Sequence, residues 1–454
     1  MDLSPLVLAR IQFAANLTFH ILFPAINIAL AWILLYFKLR WRSTGDVAWL
    51  DAYRFWIRVF ALSFGLGVVS GLTMSFQFGT TFPGFMERAG NVVGPLMGYE
   101  VMTAFFLEAG FLGIMLFGRG RVPEWVHTLA MSLVAFGVTL SAFWILVANS
   151  WMQTPAGAEM IDGKFYPTDW LQILFNASLP LRFSHMLLAS VVTAAFVVLG
   201  VSAWQALRRP LRPGERKAFM TGLVLAAAVI PVQMLVGDTA GRLAAQTQPA
   251  KIAAIEGLWE TQKGAGTVLI GWPDEATRSN KWAITIPYGA SLLITHSLDG
   301  EVQGLNDFPD AHPPVAPVFF SFRIMAGVGV LMVLSSWGGL WLLRKRRWNP
   351  DALPRWTLQG LAAMTFSGWV ATVAGWYTAE IGRQPWVVYG HIRSAEVVAD
   401  QPAAAFALSL SGFLLLYTFL LVSYIGTLVY QANKGIEPSQ PARPAPAAMG
   451  ELDG

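Results

Sequence analysis

The chain has 454 residues, 55% of them apolar and only 13% charged, with a mean hydropathy of +0.51, a composition far from that of soluble domains. The formal net charge of +4 sits in short Lys/Arg runs between apolar segments, which is how membrane topology is written, so no nucleic-acid partner is expected. The absence of cysteine excludes thiolate-ligated heme, iron–sulfur clusters, disulfides and the C-x-x-C-H attachment of c-type heme.

A hydrocarbon core about 30 Å thick needs roughly 20 apolar residues per helix. Nine runs of that kind lie near 12–37, 57–80, 96–117, 126–149, 183–206, 218–237, 317–343, 356–379 and 404–430. The first follows acidic Asp2, lacks a basic n-region and is too long for a cleaved h-region, so it is expected to stay as a helix. The predicted fold is an all-α, multi-pass integral membrane protein of about nine helices.

Alternate connections carry Lys38 to Arg54, Arg119 and Arg121, Arg208 to Lys217, Arg344 to Arg355, and Lys434 with Arg443. That side is expected to be cytoplasmic, which places the N-terminus outside and the C-terminus inside. The predicted organisation is therefore helices 1–6 in residues 1–237, an outer loop in 238–316, helices 7–9 in 317–433 and a disordered cytoplasmic tail in 434–454. The outer loop is too long to be mere connection, and Lys251 to Trp259 within it predicts a short amphipathic helix.

Ionisable groups inside a membrane cost about 2.5–3.5 kcal/mol each on insertion scales, so each needs a reason. His20 in the first span and His185 at the start of the fifth suit either interhelical hydrogen bonds or metal ligation. Met325, two residues after Arg323, is core packing or an iron ligand. Glu100 and Glu108 lie eight residues apart on the third span, about 12 Å along the helix and about 80° around it. That spacing suits either two steps of a proton path or paired interhelical hydrogen bonds. Glu380 ends the eighth span beside Arg383, where an interfacial ion pair is the simplest role. By the predicted topology His20, Glu100, His185, Met325 and Glu380 share the outer layer of the bilayer, beneath the long loop, with Glu108 deeper. Gly65, Gly67, Ser70 and Gly71 allow close approach of a neighbouring helix or of a flat macrocycle.

The segment Gly382-Arg383-Gln384-Pro385-Trp386 reproduces the GRQPW signature of subunit I of cytochrome bd-type oxidases. From Arg10 to about Tyr430 the sequence resembles that subunit, with further matches at Gly71 to Gly79, Trp144 to Gln153, Ala253 to Thr261 and Phe322 to Met325. The resemblance implies a terminal respiratory oxidase that oxidises ubiquinol or menaquinol outside and reduces O2 to water at a di-heme site, generating proton-motive force without pumping. It implies that His185 and Met325 are the axial pair of low-spin heme b558, with Arg323 near its propionates. His20 and Glu380 match the ligands of the high-spin hemes b595 and d, with Glu100 beside them. Lys251 and Glu256 match the quinol-binding pair of the outer loop, Glu108 and Ser141 match a proton path, and Trp376 matches an aromatic among the hemes. A second membrane subunit is implied as partner, with room for a small single-span one. Pro313-Pro314-Val315 follows the first part of the loop with no long insertion. The chain therefore resembles the short-loop subgroup that includes cyanide-insensitive oxidases, in which a further heme b can stand in place of heme d.

Two other classes compete on the residues alone. A transporter could line a pathway with Glu100, Glu108 and Asn149, although no repeat symmetry or paired broken helices accompany them. An electron-transfer cytochrome that never meets oxygen would need only His185 and Met325.

Overall fold

The computed structural model describes residues 4–436, the side chain of Phe105 excepted; residues 1–3 and 437–454, including Asp2, Arg443 and most of the expected tail, lie outside the described residues. Helix α1 (Pro5–Thr44) starts on Ser4, whose hydroxyl accepts from the Val7 amide, with Pro5 at its first position. It ends on Gly45 at φ 68°, and Asp46 caps α2 (Val47–Thr80) by accepting from the Ala48 amide. Helix α3 (Pro83–Thr103) runs through a π-helical turn (Ala104–Ala109) into α4 (Gly110–Phe117). Then come α5 (Glu124–Gln153), the hairpin β1 (Ala158–Ile161) and β2 (Lys164–Pro167), the short α6 (Trp170–Leu174), α7 (Leu179–Arg208) and α8 (Pro213–Thr247).

The long connection after α8 holds α9 (Pro249–Glu256), β3 (Gln262–Lys263), β4 (Thr267–Asp274), β5 (Ser279–Ile286), α10 (Gly289–Thr295) and β6 (Glu301–Val302). The chain then forms α11 (Val315–Lys345), α12 (Arg355–Ala363), α13 (Ser367–Ile381), β7 (Trp386–Val388), β8 (Ile392–Arg393) and α14 (Ala403–Lys434). All strands pair in two-stranded antiparallel ladders, so the fold is helical with small β appendages in its connections.

Among the described residues eight helices are long and apolar enough to cross a membrane, against nine expected from the sequence. The difference lies in the run at 356–379, which forms α12 and α13 joined by a 3-10 turn at Met364–Phe366. The physical cause is contact with α7: a Cβ at Gly200 would overlap Thr365, and one at Gly368 would overlap Thr193. The tighter turn presses Thr365 into the gap at Gly200, while its hydroxyl donates to the Ala362 carbonyl at 2.5 Å. Gly200→Val is therefore expected to destabilise the protein by about 1–3 kcal/mol through overpacking, read as a lowered thermal midpoint; an unchanged midpoint would show the crossing to be loose.

A cluster built on Phe23, Phe37, Trp56, Val59, Val197 and Tyr424 fastens α1, α2, α5, α7 and α14 together. Outward-facing side chains such as Leu408, Leu415 and Phe419 on α14 are largely exposed, as lipid-facing positions are. Two expectations about the outer region need correction. Helix α8 continues to Thr247, past the edge near 237, so the non-helical connection starts later. Helix α9 is not amphipathic on a water surface: Ala250 to Glu256 are all buried, packed with Val315 and Val318 of α11 and Ala244 and Ala245 of α8. At the other end Gly435 and Ile436, placed in the disordered tail from sequence, are docked, with the Ile436 amide donating to the buried Glu215 at 3.0 Å.

Candidate functional site

Inside the bundle lies a cavity of about 1310 Å³, larger than the about 300–1,000 Å³ of ordinary small-molecule pockets. His20 (α1), Glu100 (α3), His185 (α7), Met325 (α11) and Glu380 (α13) all line it. These five residues come from five helices, and the tertiary structure gathers them on one wall system. Trp376, Ser141, Glu108, Lys251, Glu256 and Arg383 line the same space.

Three of the candidate ligands lie against a glycine of a neighbouring helix. A Cβ at Gly71 would come 3.1 Å from His20 Cε1, one at Gly237 3.2 Å from His185 Cε1, and one at Gly375 2.7 Å from Met325 Sδ. A Cβ at Gly67 would instead come 3.4 Å from Phe23, and one at Gly65 would meet nothing within 4 Å, so the small residues of α2 divide between helix contact and the imidazole. Ser70 Oγ donates to the Leu66 carbonyl at 2.7 Å and lies 3.0 Å from His20 Nδ1. With its proton on Leu66, Ser70 accepts from Nδ1, which leaves Nε2 of His20 free to ligate. His185 Nε2 lies 3.2 Å from the Gln233 amide, while its buried Nδ1 has no partner in the protein.

These donors fit heme. Among the described residues no three His, Asp or Glu side chains come together to hold a bare ion. Single donors spaced around one cavity match a metal that brings its own equatorial nitrogens and needs only axial ligands.

The acidic pair on the third span departs from the helical-wheel geometry. The π turn at Ala104–Ala109 follows Glu100 and contains Glu108. A π-bulge inserts about one extra residue in a turn, and at about 100° per residue this removes most of the about 80° offset expected for a regular helix. Ser141 Oγ donates to Glu100 Oε1 at 3.1 Å, whereas the buried Glu108 Oε1 has no partner.

Glu380 is not at an open interface, and its pairing with Arg383 at 2.5 Å is buried. Its other oxygen accepts from Asn149 Nδ2 and Gln153 Nε2, each at 2.9 Å. Arg182 Nη1 donates to Asn149 Oδ1 at 3.0 Å, adding a second guanidinium to the cluster.

Lys251 and Glu256, expected in a water-facing loop, are only 4% and 5% exposed. Burial, then the nearby Arg182 and Arg383, hold the Lys251 ammonium well below the usual lysine range against the pull of Glu380. Burial pushes the Glu256 carboxyl up, opposed by Arg323 and the Thr267 hydroxyl. Glu256 Oε2 has no partner in the protein.

Arg323, expected near heme propionates, is not on the cavity wall. Its guanidinium donates to the carbonyls of Val268, Ile255 (2.6 Å) and Phe319 (3.0 Å), tying β4 and the end of α9 to α11. Sequence reasoning missed Gln153 and Arg182 as members of the site. Gln153 stood at the end of an apolar run and Arg182 among loop cations; the available signal was a polar side chain inside the Trp144 to Gln153 match.

The chain matches the family model "Cytochrome bd terminal oxidase subunit I" over residues 8–436. It is 33% identical to cytochrome bd ubiquinol oxidase subunit 1 of Bacillus subtilis (strain 168), over 96% of this chain and 95% of that one. It is 31% identical to cytochrome bd-II ubiquinol oxidase subunit 1 of Escherichia coli (strain K12), over 96% and 98%. The solved bd oxidase from Geobacillus thermodenitrificans superposes with a TM-score of 0.87 at 32% identity, over 95% of this chain and 98% of that one. With a matching fold and similarity along almost its whole length, this chain belongs to the cytochrome bd terminal oxidase subunit I family.

Proposed function

We propose that this chain oxidises quinol at the outer membrane face and carries the di-heme site where O2 is reduced to water, taking its protons from the cytoplasm. The coarser activity follows from family membership: it is a subunit of a quinol:oxygen oxidoreductase of the bacterial inner membrane, with heme as cofactor and a further subunit as partner. The observation that carries the finer reading is the convergence of His20, Glu100, His185, Met325 and Glu380 on one cavity.

In this reading His185 and Met325 hold low-spin heme b558, and His20 and Glu380 hold the high-spin hemes b595 and d, or a heme b in place of the latter. When bound, the hemes supply one-electron carriers between quinol and oxygen. A quinol that gives up two electrons also gives up two protons, and the unpartnered Glu256 Oε2 is the acceptor available for one of them. Lys251 donates to the other end of the quinol head. On the opposite route Glu108 holds a proton next to Ser141 and Glu100, in line along the third span. Trp376 lines the same cavity. The partner subunit completes the cytoplasmic end of that route, because Met115, Met131, Val134 and Val138 close the bundle below Glu108.

Topology supports the same polarity. If α12 and α13 together cross the membrane, the basic runs at Arg344–Arg347 and at Lys434 fall on one side. With eight crossings they would fall on opposite sides.

The test is Glu256→Gln in the assembled oxidase, with quinol oxidation set beside pyridine hemochrome content. Turnover efficiency is expected to fall about 5- to 150-fold, the loss of one hydrogen bond to the reacting group, while all heme bands stay. Because burial raises the Glu256 carboxyl, the acidic limb of the wild-type rate should lie above the usual carboxyl range of about 4.3. Activity requires the deprotonated base, so it is present above that limb and lost as pH falls through it; the Gln variant should lack the limb. Normal quinol oxidation by Glu256→Gln, or loss of heme from it, sinks the assignment.

A further inference from the structure

Gln153 sits where two parts of the proposed site meet. It ends α5 and is 1% exposed. Its side-chain oxygen accepts from Lys251 Nζ at 2.8 Å and from Gln248 Nε2 at 3.0 Å. Its side-chain nitrogen donates to Glu380 Oε1 at 2.9 Å and to the Ala379 carbonyl at 3.5 Å. Gln248 also donates to the Gln153 backbone carbonyl at 2.7 Å, so the amide is gripped from two sides.

All four hydrogen-bonding positions of the amide are used, and its orientation follows from chemistry. An ionised carboxylate only accepts, so the NH2 must face Glu380 and the oxygen is left to accept from Lys251 Nζ. No other neutral side chain of this length offers both polarities at those two points.

The consequence concerns what Lys251 and Glu380 would do without it. They are opposite charges, both buried, on elements that touch: the Lys251 stem runs over Gly382, where a Cβ would come 2.8 Å from Lys251 Cγ. A direct ion pair between them would take the ammonium away from the cavity and draw the carboxylate toward the lysine. The amide stands between them and uses one Nζ proton, so the remaining Nζ protons stay free for a ligand. On the carboxylate it occupies one site of Oε1 beside Asn149, with Arg383 on Oε2.

We propose that Gln153 is a positioning residue that holds Lys251 and Glu380 apart in one hydrogen-bonded frame, so that Lys251 presents its free protons to quinol and Glu380 keeps the geometry its own role requires. This rests on the reading of Lys251 as a quinol contact and of Glu380 as a heme ligand. It assigns Gln153 no contact with quinol or heme; the effect passes through its two neighbours.

The experiment uses the purified two-subunit oxidase with short-chain quinol as substrate. It measures KM and kcat for Gln153→Leu, Gln153→Glu, Lys251→Met and the double variant Gln153→Leu/Lys251→Met, with a reduced-minus-oxidised spectrum of each. Gln153→Leu is expected to raise quinol KM about 5- to 30-fold, one or two hydrogen bonds' worth, and to shift the high-spin bands with heme content kept. Gln153→Glu keeps an oxygen toward Lys251 but sets a second one against Glu380, so KM should stay within about 3-fold of wild type, a difference of about 0.6 kcal/mol, while the high-spin bands shift. In the double variant KM should be no higher than in Lys251→Met alone, because both act through one ammonium.

A Gln153→Leu protein with wild-type KM and spectrum overturns the proposal, as does a double variant whose KM effects multiply. If Gln153→Leu does not assemble, Gln153→Glu decides alone: unshifted high-spin bands, or a KM raised well beyond 3-fold, overturn it. The underlying reading fails separately, when Lys251→Met leaves quinol KM unchanged or Glu380→Gln leaves the high-spin bands unchanged.

Discussion

Replacing Met325 by Leu is expected to leave the bundle folded and to abolish or broaden the low-spin heme band. Leu and Met are close in volume, and such swaps in a packed interior usually cost less than about 1.5 kcal/mol. Leu has no sulfur lone pair, so an axial position would be lost while the wall stays filled. The structure adds a graded companion. A Cβ at Gly375 would stand 2.7 Å from Met325 Sδ, so Gly375→Ala must move the sulfur without removing it. The Ala variant should keep its heme and shift the midpoint potential and band position; the Leu variant should lose the low-spin signature outright. Redox titration of the reduced-minus-oxidised spectrum measures both. An unchanged low-spin band in Met325→Leu would remove Met325 from the ligand set.

Glu380→Ala is expected to have the largest effect on assembly. Its carboxylate is the partner of Arg383 at 2.5 Å in a buried setting, while Nε and Nη1 of Arg383 have no hydrogen-bond partner. Removing one member of a buried pair leaves an uncompensated charge and costs about 3–5 kcal/mol. The variant should show a lower thermal midpoint, a lower yield of assembled oxidase and loss of one high-spin heme. The double variant Glu380→Ala/Arg383→Leu separates stability from ligation, because removing both charges relieves most of the penalty. Its thermal midpoint should recover while the high-spin heme remains missing. Recovery of both would make Glu380 a structural ion-pair partner only, and the iron ligand would have to be found elsewhere on the cavity wall.

The structure also alters which variants isolate the quinol end of the reaction. From sequence, Lys251 and Glu256 look equivalent, five residues apart on one loop helix. In the fold Lys251 is joined through Gln153 to Glu380, whereas Glu256 Oε2 has no hydrogen-bond partner. Glu256→Gln is therefore the clean test of quinol oxidation, and changes at Lys251 are expected to be felt at the heme side as well.

Much was determined by the sequence alone, because the length of an apolar run and the presence of a charge within it are properties of one segment. The runs around His20, Glu100, His185 and Met325 had to become helices in lipid, since only internally bonded backbone is tolerated there. The same one-dimensional logic pointed to those polar side chains as exceptional. What lay outside it depends on contacts between segments far apart in the chain. Gly200 and Gly368 against Thr365 and Thr193 break the run at 356–379, and no periodicity within that run announces the break. The π turn that contains Glu108 is one extra residue in a turn, invisible in a pattern read at 3.6 residues per turn. Lys251 and Glu256 lie in a segment too short to cross a membrane, so length and polarity placed them in water. They are buried because α9 is wedged between α8 and α11, an arrangement fixed by side chains such as Val315, Val318 and Ala244 that belong to other helices. Gln153 shows the same limit most plainly: its role is defined by the ammonium and carboxylate on either side of it, and those come from residues about a hundred and more than two hundred positions away.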